Sequence, residues 1–113
     1  VVHQGRQVVF EVDAWGENLA GFQNVNGRSI RENATRQANF RLENGRRYTL
    51  TVEVRRDSIR GLLDGRPVAT LRTQGAELSL PDLWSLPQRN RAGLVAWESE
   101  TLFHTVEMRM ADG

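Results

Sequence analysis

The chain contains no cysteine. That excludes disulfides, thiolate catalysis and cysteine-based zinc sites, and it leaves the redox compartment open. Lysine is absent as well, so all 15 basic residues are arginine. They run from Arg6 to Arg109 and never exceed a pair such as Arg46-Arg47 or Arg55-Arg56. Codon bias in a GC-rich genome accounts for this usage, whereas an arginine-lined anion site would need clustering in space. The net charge is +1, and the concentrated basic face that nucleic acid or an anionic membrane demands is missing. No apolar run approaches the roughly 20 residues that span a bilayer, and no signal-peptide pattern is present. No segment keeps a 3.6 period over three turns. Neither a Gly-x-Gly-x-x-Gly run nor a P-loop occurs, and none of the serines sits in a Gly-x-Ser-x-Gly setting.

What remains is strand-like. A length of 113 residues with 39% hydrophobic content suits one core. The expected organisation is therefore a single β-sandwich domain over residues 1–113, a fragment of a longer domain or multidomain protein, since the chain starts Val1-Val2 rather than with Met. The dominant period is two. Val8, Phe10, Val12 and Ala14 alternate with Glu11 and Asp13. Tyr48, Leu50, Val52 and Val54 alternate with Thr49, Thr51, Glu53 and Arg55, the clearest strand of the chain. Val106, Met108 and Met110 alternate with Thr105, Glu107 and Arg109. Shorter candidates are 19–23, 37–42, 58–63, 68–72 and 93–98. Asn26-Gly27, Asn44-Gly45 and Asp64-Gly65 accept the positive φ of tight turns, and Asp64-Gly65 marks the tip of a hairpin. The stretch 74–90, with Pro81 and Pro87, reads as a long connection with one helical turn after Pro81, packed down by Leu83, Trp84 and Leu86.

Four segments carry a family resemblance. They are Asn44–Val52, Leu63–Val68 around Asp64-Gly65, Gly93–Trp97, and Phe103–Met108. In this order and spacing they resemble the concanavalin A-like (laminin-G-like) jelly-roll superfamily. Trp15-Gly16, Gly21, Gly27, Asn44–Tyr48 and Leu78–Trp84 are similar to a bacterial subset of accessory domains within it. The resemblance covers roughly residues 8 to 110. It implies an all-β antiparallel sandwich of jelly-roll topology, here lacking its N-terminal strands. Those strands are expected to be removed, disordered or supplied by a partner chain that completes the sandwich, and the expected setting is extracytoplasmic.

Candidate chemistry is sparse. His3 and His104 have no metal-ligand spacing; His104 shares the parity of Val106 and Met108 and is expected partly buried in a strand. Calcium is the one cofactor left open, near Asp13, Asn24 or Asn26, as in loops of the resembling superfamily. Glycoside hydrolysis needs two facing carboxylates. Glu11 and Asp13, at i and i+2 of one strand, form a suggestive pair, against the plainer reading of a polar solvated face; Glu98 and Glu100 repeat the spacing. Sugar recognition uses an aromatic platform beside planar polar groups. Trp15 with Asp13, Asn24 and Asn26 is thus the candidate ligand patch, while Trp84 and Trp97 read as core. Asn33-Ala34-Thr35 matches a glycosylation sequon.

The expectation is a non-catalytic carbohydrate-binding or adhesion-type accessory module, acting on a glycan or a neighbouring protein domain. Two other readings stand beside it: a sugar-active hydrolase using Glu11 and Asp13, and a structural domain whose open sheet edge pairs with another chain.

Overall fold

The computed structural model describes residues 2–3, 6–14, 18–73, 78–80, 87, 93–94, 96 and 101–108. Among these residues the chain is all β, and every ladder is antiparallel. The strands are β1 (Val2–His3), β2 (Arg6–Gln7), β3 (Val9–Ala14), β4 (Leu19–Gln23), β5 (Leu50–Val54), β6 (Ser58–Leu63) and β7 (Arg66–Arg72). They form three ladders, β1-β2, β3-β4 and β5-β6-β7.

The turns follow their sequence signals. Leu63 pairs with Arg66 across Asp64-Gly65, whose φ values of 50° and 80° are those of a type I′ turn. Asn26 and Gly27, at φ 52° and 70°, close a second such turn, with Val25 and Arg28 exchanging both backbone bonds. At Asn44-Gly45 only the glycine has positive φ, and the Arg46 N–H donates to the Glu43 carbonyl, a type II pattern. Asp64 does further work. Its N–H donates to the Thr49 carbonyl at 2.8 Å, and its Oδ1 accepts from the Thr49 N–H at 2.9 Å. The carboxylate thereby extends the β5-β6 ladder beyond Leu50.

Alternation then builds the core. Val52, Val54, Ile59, Gly61, Ala69 and Leu71 share one face of β5-β6-β7 by register. Val8, Phe10 and Phe22 face them from the β3-β4 layer, with Val25 and Leu78 filling the same cluster. The Phe10 and Phe22 rings pack 5.4 Å apart, tilted by 43°. Phe10 lies directly over Gly61, where a Cβ would overlap its ring. The result is a sandwich-like, two-layer arrangement. On the opposite face of the three-stranded sheet Arg60 donates from Nε and Nη2 to Glu53 on the neighbouring strand at 2.9 and 2.6 Å.

Several expectations are corrected. The short β1-β2 hairpin lies ahead of the first strand read from the sequence. Its His3 is buried and bonds the Arg55 carbonyl through Nε2 at 2.7 Å. Residues 37–42 form a single bridge, Ala20 with Gln37, instead of a strand. Residues 101–108 form no strand and are exposed, Val106 and Met108 included. Leu50, on the apolar parity of β5, is 50% exposed, β5 being the outer strand of its ladder among the described residues. The expected strand over 93–98 and the packing of Leu83, Trp84 and Leu86 lie largely or wholly outside the described residues, as does Trp97.

Gly61→Ala should cost about 1–3 kcal/mol, because a methyl there overpacks against Phe10. The measurement is a lower urea midpoint at unchanged m-value. A midpoint equal to that of the unmodified chain would show that the two layers do not meet here.

Candidate functional site

The β3-β4 hairpin carries most of the candidate residues, and its register decides their fate. Val9 pairs with Gln23, Phe10 with Phe22 and Glu11 with Gly21, but Ala14 pairs with Leu19. Two residues, Val12 and Asp13, thus oppose Ala20 alone, which makes a β-bulge. Asp13 sits in it with φ 55°. The bulge interrupts strict alternation, so spacing by two does not place Glu11 and Asp13 on one face.

Their partners confirm the separation. Glu11 is 8% exposed, and its Oε1 accepts from Gln23 Nε2 at 2.7 Å. Asp13 accepts from Asn18 Nδ2 at 2.6 Å on Oδ1 and from the Leu42 N–H at 2.9 Å on Oδ2. One carboxylate braces the open end of the hairpin. The other ties its turn to the chain arriving at Leu42. The polar solvated face expected for Glu11 is not observed, because residues 28–37 fold across that side of the hairpin. A Cβ on Gly21, the partner of Glu11, would stand 3.0 Å from the Thr35 carbonyl oxygen and 3.3 Å from Ile30 Cγ1. Only glycine admits so close an approach.

The same segment closes the far edge of β4. Ala20 and Gln37 exchange backbone bonds at 2.9 and 2.8 Å, and the Phe40 N–H reaches the Asn18 carbonyl. Beyond Ala20, at Phe22, side chains replace a strand. The Phe22 N–H donates to Thr35 Oγ1 at 3.0 Å, and Asn33 Nδ2 donates to the Phe22 carbonyl at 2.7 Å. Asn33 Oδ1 accepts from both the N–H and the hydroxyl of Thr35. Asn33 Nδ2 also reaches the Arg28 carbonyl at 3.2 Å. The sequon is therefore a buried structural clasp, with its acceptor nitrogen already engaged. Sequence reasoning saw Asn33-Ala34-Thr35 only as a modification motif, although short-range bonding by Asn and Thr side chains is a turn signal in its own right.

Asn24 and Asn26 follow the other end of β4. Asn24 exchanges backbone bonds with Ser79, and Asn26 is exposed at its turn, where positive φ explains the residue. Asp13 bonds Asn18 at the start of β4, so the length of that strand, roughly 3.3 Å per residue, separates it from the two asparagines. The structure does not bring Asp13, Asn24 and Asn26 together, and one cation could not bind all three. Trp15 lies outside the described residues, as do Glu98 and Glu100. Among the described residues no group of three His, Asp or Glu side chains could hold a metal. His104 is exposed rather than partly buried, and its Nδ1 lies 3.2 Å from Arg47 Nη2. Two buried polar atoms, His3 Nδ1 and Gln23 Oε1, have no hydrogen-bond partner among the described residues.

Thr35→Val keeps the shape but leaves the buried Phe22 N–H without its acceptor, a loss of about 1–3 kcal/mol. Asp13→Ala, which frees the half-buried Leu42 N–H and Asn18 amide, should lower stability by about 1–2 kcal/mol. Denaturant unfolding of both variants checks these values. An unchanged midpoint for Asp13→Ala would mean that its carboxylate is not a brace.

No family model, curated protein or solved structure matches this chain.

Proposed function

We propose that this chain is a non-catalytic accessory module of the concanavalin A-like jelly-roll kind, working by adhesion to a protein surface rather than by chemistry on a substrate. The observation that carries the reading is a run of apolar side chains held in solvent. Leu102, Phe103, Val106 and Met108 are exposed within seven residues of chain, Leu102 at 76% and Met108 at 79%. Scattered exposed leucines need no explanation, but a concentrated apolar strip does, and burial against a partner is the usual one.

The two carboxylates argue in the same direction. Glu11 and Asp13 are the pair on which a hydrolase reading stands, and each is engaged with a different part of the scaffold. Retaining or inverting hydrolysis needs two carboxyl groups converging across a cleft, and a bulge between them works against that. A glycan patch built from Trp15, Asp13, Asn24 and Asn26 draws less support, since Asp13 and the asparagines stand at opposite ends of β4.

The reading is tested with an environment-sensitive dye and a glycan array. The unmodified chain should bind the dye 8-anilinonaphthalene-1-sulfonate, and replacing Phe103, Val106 and Met108 together by serine should abolish at least four-fifths of that signal while leaving the unfolding midpoint unchanged. A glycan that binds the chain and is lost on Trp15→Ala would replace protein adhesion with sugar recognition.

A further inference from the structure

Asparagine is a thermolabile residue, and in this chain it precedes a small residue at three places. Asn26 and Asn44 precede glycine, and Asn33 precedes alanine. In such pairs the backbone nitrogen of the second residue attacks the side-chain carbonyl carbon of the asparagine. A new N–Cγ bond closes a five-membered succinimide, the Cγ–Nδ2 bond breaks, and ammonia leaves. Water then adds to one of the two ring carbonyls and opens the ring. The product is aspartate or, with the backbone rerouted through the side chain, isoaspartate. Nothing is oxidised or reduced, and water is the only co-reactant. The step needs an attacking nitrogen without a crowding Cβ beside it, and a backbone able to bring the two groups together.

The fold treats the three asparagines differently. Asn33 is buried, and its Nδ2 donates to the Phe22 and Arg28 carbonyls. Its amide cannot turn toward the Ala34 nitrogen without opening the clasp. Asn26 is exposed, but Val25 and Arg28 close its turn from both sides with backbone bonds of 3.0 and 2.9 Å. Val25 is itself buried and bridged to Leu78, and the Arg28 carbonyl accepts from Asn33. Both ends of that turn are therefore anchored to buried residues.

Asn44-Gly45 is held least. Residues 43–47 are all exposed, and the Arg46 N–H closes the turn on the Glu43 carbonyl at 3.3 Å. The Glu43 N–H also donates to Tyr48 Oη at 2.8 Å, a contact made through a side chain. In a type II turn the i to i+3 bond uses the Arg46 N–H and leaves that of Gly45, the attacking group, outside the turn's own hydrogen bond. Gly45 has φ 81°, and beyond its chain neighbours no atom of the described residues lies within 4 Å of where its Cβ would stand.

We propose that Asn44 is a site of spontaneous covalent modification, its amide converting to aspartate and isoaspartate in the folded chain, while the fold protects Asn26 and Asn33. The inference goes beyond the adhesive reading and does not depend on it. Each conversion places a carboxylate next to a turn that carries Arg46, 3.4 Å from Asp64, and Arg47, 3.2 Å from His104. One added negative charge cancels the net charge of +1. The isoaspartate form also inserts a methylene into the backbone that the Glu43–Tyr48 bond spans.

The unmodified chain is incubated at mildly basic pH below its unfolding transition, beside a sample held in guanidinium chloride. Cleavage after arginine releases Asn44 in the peptide 42–46, Asn33 in 32–36 and Asn26 in 7–28, where fragmentation separates it from Asn18 and Asn24. Mass spectrometry follows the change from amide to acid, and chromatography separates the two products. In the folded chain Asn44 should convert at least ten times faster than Asn26, with isoaspartate among the products, whereas the two rates should agree within about threefold in denaturant, where local protection is gone. Equal rates at Asn26 and Asn44 in the folded chain overturn the proposal. So does conversion of Asn44 that occurs only in denaturant or yields no isoaspartate, since the exposed turn then does not permit ring closure. A tenfold preference for Asn44 that persists in denaturant also overturns it, because the fold then protects nothing at Asn26.

Discussion

Phe22 is where the demands on this fold converge. Its side chain is fully buried between the two layers, against Val8, Ile59 and Ala69. Its backbone lies in a strand whose every residue is buried. A buried N–H or C=O must be paired or it costs about 1–3 kcal/mol. β3 satisfies one side of β4. On the other side the ladder is continued by one true bridge at Gln37 and, opposite Phe22, by the side chains of Thr35 and Asn33. The sheet edge is closed without a further strand, and the segment 28–37 is held down over Glu11 as a consequence.

That arrangement gives polar residues structural work. Asp13, Glu11, Asn33, Thr35 and Asp64 all resemble functional residues when met in a list of carboxylates, amides and hydroxyls. In the folded chain each completes a backbone or side-chain bond that the strands leave open. The salt bridges add little beside them: Arg72–Asp57 and Arg46–Asp64 join exposed groups in high dielectric. Chemistry of interest is thereby displaced from the polar residues to the exposed apolar ones at Leu102, Phe103, Val106 and Met108.

The legibility of the fold varied along the chain for physical reasons. β4 and β6 match their periodic segments residue for residue, and the Asp64-Gly65 hairpin stands where its positive φ requires. These elements depend on neighbours close in sequence, and the period of two records them directly. The strip 103–108 has equally good alternation yet no ladder, since pairing requires a strand to pair with and sequence periodicity says nothing of that. The candidate site fared worse. Parity counting across Glu11–Asp13 failed at a bulge, whose extra residue leaves no mark in the hydrophobic pattern.

By itself the sequence determined the all-β, antiparallel character, the positions of the tight turns and the inward set of Val52 and Val54, because alternation and glycine-containing turns are local properties of the chain. Tertiary structure alone decided that Glu11 is buried, that Asn33 and Thr35 finish a sheet, and that Asp13 stands apart from Asn24 and Asn26. Each of those depends on which distant segment comes to lie alongside, and burial and hydrogen-bond partnership arise only from that approach.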